Sequence, residues 1–271
     1  MPRGMKVLVT GASGRIGQAF REFYRDYYSL RLVEHRTPVC ASSNEEVVSA
    51  DITDLQSMLK AMKKIEAVVH LAADPRGSAP WDSVLRLNII GTYNVFESAR
   101  LSGVKKIVFA SSNHACGYAV KESDLIGPDA PIRPDSLYGV SKVFGEALGR
   151  YYSDKFGISV ICLRIGACHD PHRFVKRVLS TSGKSHYPPK KYLAMWISRR
   201  DIAQLIHKSL EADLKFGIFY GTSNNERKIF DLSSAEEKLG YTPQDKIEDY
   251  LPYQKRENKK RIFRKHREFF L

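Results

Sequence analysis

Tyr138 and Lys142 stand four residues apart in the run Leu137-Tyr138-Gly139-Val140-Ser141-Lys142, inside a stretch with a helical, amphipathic pattern. Positions i and i+4 of a helix share a face. An ammonium one turn from a phenol favours the phenolate, so a group that ordinarily titrates near ~10 becomes a base usable closer to neutrality. The pair is a candidate proton-transfer device. Tyr and Lys at this spacing also occur as plain surface neighbours, and the rest of the chain decides between the two readings.

A base of this kind needs an element that holds an electron acceptor beside it. Residues 5–10 read as a buried parallel strand and run into Gly11-Ala12-Ser13-Gly14-Arg15-Ile16-Gly17, after which a helical pattern continues to 28. Strand, glycine turn and helix come in the order a dinucleotide site requires. Gly11 permits the tight turn, Gly14 the approach of a pyrophosphate, and Gly17 close helix packing, while the helix N-terminus offers free N–H groups. A second strand, 30–33, ends at Glu34, where a carboxylate accepts hydrogen bonds from an adenosine ribose and repels a 2′-phosphate. That favours NAD over NADP, with Arg36 as the residue that would accommodate the extra phosphate. A third strand over 47–52 places Asp51 and Ile52 where an adenine is read. A fourth, 67–73, carries His70 as a satisfied core histidine and ends in Leu71, Ala72 and Ala73, small enough overall for a cofactor to lie on the backbone.

Residues 81–102 read as one long helix with Gly91 inside it, a position that marks close packing of another backbone. The fifth strand, 106–110, delivers Ser111, Ser112, Asn113 and His114 at its carboxyl edge, where open α/β sheets bind ligands. A hydroxyl, an amide and an imidazole there suit a polyhydroxylated substrate. The Tyr138/Lys142 helix extends to 156 and is followed by a strand over 158–165. Residues 166–194 then read as an irregular, basic substrate lid containing His169, His172, Arg173, Lys176, Arg177, Lys184, His186, Lys190 and Lys191. A helix over 200–212, a strand over 217–221 and a short helix over 233–239 complete the pattern.

At 271 residues and 43% hydrophobic, the chain is long enough for one sizeable α/β core. It shows neither an apolar run of membrane-spanning length nor a signal-peptide core, so it reads as cytosolic. Cys40, Cys116, Cys162 and Cys168 form no CxxC pair, which points to reduced, buried thiols and to no metal. The net charge is +13, and residues 255–271 hold eight Lys/Arg against two Glu. Such a tail suits nucleic acid or a solvated helix docked through Ile262, Phe263, Phe269 and Phe270, and the apolar spacing favours the helix.

Taken together, the glycine turn, His70-Leu71-Ala72-Ala73, Asn88 with Gly91-Thr92, Ser112, and Tyr138 with Lys142 resemble the extended short-chain dehydrogenase/reductase family in order and spacing. The resemblance runs to about residue 243. Within the family, Phe109 to His114, Leu137 to Lys142 and Arg164-Ile165-Gly166 look like the uronate dehydrogenases and equally like the archaeal NAD-dependent glucose-6-phosphate dehydrogenases. Ala73-Asp74-Pro75-Arg76 and Ala194-Met195-Trp196-Ile197-Ser198 lean towards the second group.

The resemblance implies a Rossmann-like doubly wound parallel sheet over 1–165, with the substrate-binding portion and tail, 166–271, packed onto it as one unit. It implies Ser112, Tyr138 and Lys142 as the catalytic set, Asn113 and His114 on sugar hydroxyls, and Asn88 and Ile165 among the cofactor contacts. Arg177 is the nearest match to the arginine that holds the uronate carboxylate, with Arg199 and Arg200 as alternatives facing a phosphate. The helices near 81–102 and 138–156 would pair in a homodimer. The expected activity is NAD-dependent oxidation of an anionic aldose at C1 to the lactone. The rival readings are a nucleotide-sugar epimerase or dehydratase, and an NAD-sensing binding protein with a partner-binding tail.

Overall fold

The computed structural model describes residues 4–180 and 187–252, and the expected tail helix at 255–271 lies outside them. Its centre is a parallel sheet of seven strands: β1 (Lys6–Thr10), β2 (Ser29–Glu34), β3 (Glu46–Ser49), β4 (Ala67–His70), β5 (Lys106–Ser112), β6 (Ser159–Ile165) and β7 (Phe216–Gly221). They lie in the order β3-β2-β1-β4-β5-β6-β7. The order reverses between β1 and β4, so a crevice opens at the carboxyl ends of those two strands.

The central strands are buried on both faces, as their near-continuous apolar runs require, while the edge strand β3 is largely exposed. Successive side chains alternate between two cores. Val7, Val9, Val69, Val108, Ile161 and Leu163 face one, with Phe20, Ile202 and Leu205. Leu8, Val68, Ile107, Phe109, Val160 and Cys162 face the other, with Met58, Val95, Phe96 and Tyr152. Each such side chain contributes about 1.5–3 kcal/mol by leaving water.

The first core is roofed by α1 (Arg15–Tyr24), α9 (Arg199–Glu211) and α10 (Ser233–Leu239), and the second by α2 (Leu55–Ala61), α4 (Gly91–Leu101) and α6 (Leu137–Phe156). Shorter helices are α3 (Trp81–Ser83), α5 (Ala119–Glu122), α7 (Pro171–Ser180) and α8 (Pro189–Ala194). Among the described residues, no helix is long and apolar enough to cross a membrane.

Four local expectations change. The helical run begun at α3 passes through a π-helical segment, Val84–Ile90, before α4. Gly91 does sit at a close approach, but its neighbour is a side chain, since a Cβ there would lie 2.7 Å from Ile52 Cδ1. The stretch expected to be irregular from 166 to 194 contains α7 and α8, because Phe174, Val175 and Val178 give α7 an apolar face that packs with Trp196 and Ile247. Of the four thiols, Cys40 is exposed, whereas Cys116 and Cys162 are buried.

Candidate active site

A cleft of about 900 Å³ runs along the carboxyl edge of the sheet, from the glycine turn to α7 and α8. Its inner end is made mostly of backbone. Gly11 adopts φ +70°, the left-handed region that glycine enters without steric cost, and accepts the Gly14 N–H at 3.0 Å. A Cβ at Gly17 would stand 2.5 Å from Gly11 O and 2.7 Å from Ala12 Cα, so only glycine lets α1 start this close to the turn. The first turn of α1 carries no acidic side chain and no side-chain cap, which leaves its N–H groups free for an anion. Gly11, Gly14, Arg15, Ile16 and Gly17 line this end, as do Asp51, Ile52, Leu71, Ala72 and Ala73. The shape and donor set fit a dinucleotide.

His70 explains part of the floor. It is buried between Thr10 Oγ1 at 2.8 Å and Thr92 Oγ1 at 3.2 Å, and Thr10 Oγ1 in turn accepts the N–H groups of Leu71 and Ala72. Burial, helped by the nearby Lys142 charge, pushes its pKa down to about 3, so the ring is a neutral core group.

Two residues expected on the cofactor stand off the cleft. Glu34 turns its carboxylate to the Val39 N–H at 2.6 Å and braces the loop after β2, while His35, Arg36 and Thr37 line the wall. Asn88 is buried in the π segment with its amide already engaged. It accepts the Asp74 N–H at 2.8 Å and donates to Asp74 O at 3.0 Å and Ser141 Oγ at 3.1 Å, tying the loop after β4 to α6.

At the middle of the cleft β5 and α6 bring Ser112, Tyr138 and Lys142 together, and Ile165 at the end of β6 lines the same space. Ser136 caps α6 by accepting the Gly139 N–H at 3.1 Å, which starts the helix one residue before Tyr138. Ser112 lies near enough to the Tyr138 phenol to lower its pKa, while its Oγ donates to Asn113 Oδ1 at 3.3 Å and accepts the His114 N–H at 3.2 Å. Lys142 Nζ lies 5.4 Å from the Tyr138 ring centroid and 5.0 Å from that of Phe109.

The expected depression of the phenol differs from what the protein's own groups produce. Burial raises Tyr138 to about 12, the Ser112 hydroxyl acts in the opposite sense, and the Asp74 carboxylate adds to the rise. Burial also lowers Lys142 to about 8. Removing water disfavours the charged form of each, and at this depth that outweighs their mutual help.

Side chains dominate the outer end. Asn113 Nδ2 reaches Met195 Sδ at 3.4 Å, and His114 Nδ1 meets Asp135 Oδ1 at 2.7 Å. Ser111, which also lines the cleft, donates to Glu146 Oε1 at 2.6 Å within a buried network with Arg164. Arg177 lines the cleft from α7, its Nη2 donating to Tyr192 Oη at 3.1 Å and its guanidinium 5.4 Å from the Phe174 ring centroid. Arg199 and Arg200 do not reach the cleft, since they pair with Glu22 and Asp245 on the outside. Lys191 donates to Val120 O and Ser123 O, and Lys184 and His186 lie outside the described residues. Of the basic lid, His169 and Arg177 face the cleft. Arg15 links the two ends, donating to Cys168 O at 3.1 Å and touching His169 Nδ1. Burial pushes His169 down to about 4, with Arg15 and Arg177 adding to the effect.

Asp135, Tyr187 and Tyr192 are the site residues that sequence reasoning missed. Asp135 carried one available signal, its place just before a helix cap three residues ahead of Tyr138.

Residues 7–213 match the model of the NAD dependent epimerase/dehydratase family. The chain is 42% identical over 266 residues to an NAD-dependent glucose-6-phosphate dehydrogenase of Haloferax volcanii, covering 90% of this chain and 95% of that one. It is 37% identical to a uronate dehydrogenase of Agrobacterium fabrum, covering 90% and 86%. A uronate dehydrogenase from Agrobacterium tumefaciens, solved as a mutant complexed with NAD, superposes with a TM-score of 0.75 at 33% identity, covering 98% of this chain and 90% of that one. A UDP-galactose 4-epimerase shares the fold, with a TM-score of 0.69 at 20% identity. With the family model matched over about three quarters of the chain and relatives of this identity and coverage, the chain belongs to the NAD-dependent epimerase/dehydratase family of extended short-chain dehydrogenases/reductases.

Proposed function

We propose that the protein is an NAD-dependent sugar dehydrogenase that oxidises C1 of an anionic aldose, a uronate or an aldose 6-phosphate, to the lactone. The observation that carries this reading is the meeting of Ser112, Tyr138 and Lys142 in the same cleft as the glycine turn, with Arg177 on the outer wall. Gly11, Gly14, Arg15 and Ile16 would hold the pyrophosphate, Asp51 and Ile52 the adenine side, and Lys142 the nicotinamide ribose. Bound NAD would supply the acceptor for the C1 hydrogen and its electron pair, together with a positive charge that favours the phenolate. Tyr138 Oη takes the anomeric hydroxyl proton, Ser112 Oγ orients that oxygen, and the Lys142 ammonium favours the phenolate during transfer. The C1–H and O–H bonds break, a C1=O bond forms, and no water enters the step. Arg177 receives the substrate's anionic group as a planar guanidinium already oriented by Tyr192.

Support from relatives is of the same kind, since the Haloferax and Agrobacterium proteins carry the names of dehydrogenases acting on anionic sugars. The test is reduction of NAD and NADP across glucuronate, galacturonate, glucose, glucose 6-phosphate and pentoses. NADH accumulation with an acidic sugar is expected. Conversion of a nucleotide sugar with no net NADH would replace this reading by epimerisation.

The same reading includes a homodimer through α4 and α6, supported by Ile90, Tyr93 and Leu101 on one helical run and Leu137, Val140 and Tyr151 on the other, all large apolar groups left exposed. Tyr93→Lys combined with Tyr151→Glu is expected to halve the mass measured by light scattering, and a wild-type monomer contradicts the dimer.

A further inference from the structure

We propose that Asp135 is a positioning residue that holds the His114 imidazole in one tautomer and one orientation, so that Nε2 accepts a hydrogen bond from a sugar hydroxyl, and that joins this ring to Tyr187 on the opposite wall. The proposal rests on the sugar-dehydrogenase reading of the cleft and adds a residue and a linkage to it.

The contacts form a chain across the outer end. His114 Nδ1 lies 2.7 Å from Asp135 Oδ1, and Tyr187 Oη donates to Asp135 Oδ2 at 2.5 Å. Ser136 Oγ, the cap of α6, also donates to Oδ1, at 3.1 Å. The carboxylate has a tailored space, because a Cβ at Gly117 would come within 2.1 Å of Oδ2, and the Tyr187 hydroxyl also reaches Gly117 O at 3.3 Å.

An ionised carboxylate only accepts hydrogen bonds. Burial alone would raise the Asp135 pKa, but hydrogen bonds from His114 and Tyr187, the attraction of His114 when charged and a hydrogen bond from Ser136 outweigh it and hold the group below its ordinary value. With an acceptor fixed at Nδ1, the tautomer it selects carries the hydrogen on that nitrogen and keeps a lone pair on Nε2. Nε2 has no hydrogen-bond partner among the described residues, while the ring lines the cleft and sits edge-on to Tyr138 at 5.7 Å between centroids. A hydroxyl donating to Nε2 is thereby placed next to the phenol that takes the proton. Tyr187 and Tyr192, both cleft-lining, are ring neighbours at 6.3 Å, and Tyr192 receives the Arg177 hydrogen bond. Asp135 therefore connects the hydroxyl-reading side of the site to its anion-reading side.

The test uses the full chain labelled with ¹⁵N-histidine, His114 being assigned by difference against His114→Gln. The wild type is expected to show the Nδ1–H tautomer at His114, and Asp135→Ala to lose it. In steady state Asp135→Ala should raise the sugar KM roughly tenfold or more, with the KM for NAD within about twofold, as expected when the group orienting a ligand is removed. Asp135→Asn, which keeps a carbonyl acceptor, should fall between, and Tyr187→Phe should shift the sugar KM in the same direction by less. Should Asp135→Ala fail to fold, the last two variants carry the test. An unchanged His114 tautomer, an unchanged sugar KM, or equal rises in both KM values would overturn the proposal. Failure of the parent reading is seen separately, as a wild type that reduces NAD with no sugar, and the nitrogen spectrum reads the Asp135 lock without any substrate.

Discussion

At its dinucleotide end the cleft is walled by strand termini and by backbone atoms of the glycine turn. At its outer end it is walled by side chains from the end of β5 and the turn after it, and from α6, α7 and α8. The glycine-turn part of the first wall is local. Thirteen consecutive residues, Met5 to Gly17, hold the strand, the turn and the helix start, and a Cβ at Gly17 has nowhere to go. The second wall is assembled from positions far apart in the chain, such as His114 with Asp135 and Tyr187. A cofactor common to many enzymes is met by fixed backbone geometry, whereas a substrate that varies between enzymes is met by replaceable side chains.

The sharpest way to break this contrast is at the backbone wall. Gly17→Val is expected to abolish NAD binding and to destabilise the fold by about 3 kcal/mol or more, because Gly11 O and Ala12 cannot retreat without opening the turn. Calorimetric NAD titration together with thermal melting checks this. A variant that binds NAD normally would show that the inner end is as adaptable as the outer.

A smaller, selective effect is expected at the side-chain wall. Arg177→Met should raise KM for an anionic sugar roughly 10–100-fold, the worth of a charge-assisted contact of about 1.5–3 kcal/mol, and leave NAD affinity unchanged. Equal loss for a neutral sugar would mean that Arg177 shapes the wall without reading charge.

The smallest effect sharpens the contrast through pH. His70 sits under the dinucleotide end with its pKa pushed down to about 3, against an ordinary value near ~6.5. The unfolded chain therefore takes up this proton first. Stability from this group is complete above about pH 6.5 and declines as pH falls towards about 3, where the decline ends. Chemical denaturation between these limits should show a shallower fall for His70→Gln than for the wild type. Parallel curves would place the acid sensitivity elsewhere.

The same division explains what could be read without coordinates. The strands of the sheet, the glycine turn, the extent of α6 and the core role of His70 follow from hydrophobic period, glycine placement and the burial of an imidazole in an apolar run. Glu34 and Asn88 stand at chain positions right for a cofactor, but the bonds they make to Val39 and to Asp74 and Ser141 depend on loops whose course the sequence does not show. The amphipathic face of α7 was obscured by its charge, five of ten residues being polar or basic on the other side of Phe174, Val175 and Val178. Asp135 escaped notice because a carboxylate before a serine cap reads as ordinary turn chemistry, and its value depends on His114 and Tyr187 arriving from elsewhere. The resting state of Tyr138 was out of reach for a similar reason, since burial depth is a property of the whole fold and reverses the sign expected from the Lys142 charge alone.

The central claim is that Tyr138 removes the proton from the hydroxyl of the same C1 whose hydrogen goes to NAD. The direct measurement is turnover of a C1-deuterated anionic aldose by the wild type and by Tyr138→Phe, with the reduced cofactor analysed for label. The account predicts deuterium in the wild-type NADH and a fall in turnover of about 10³-fold or more in the variant, the usual scale for losing a positioned base together with its hydrogen bonds. Unlabelled NADH, or a Tyr138→Phe protein that turns over as fast as the wild type, would contradict it.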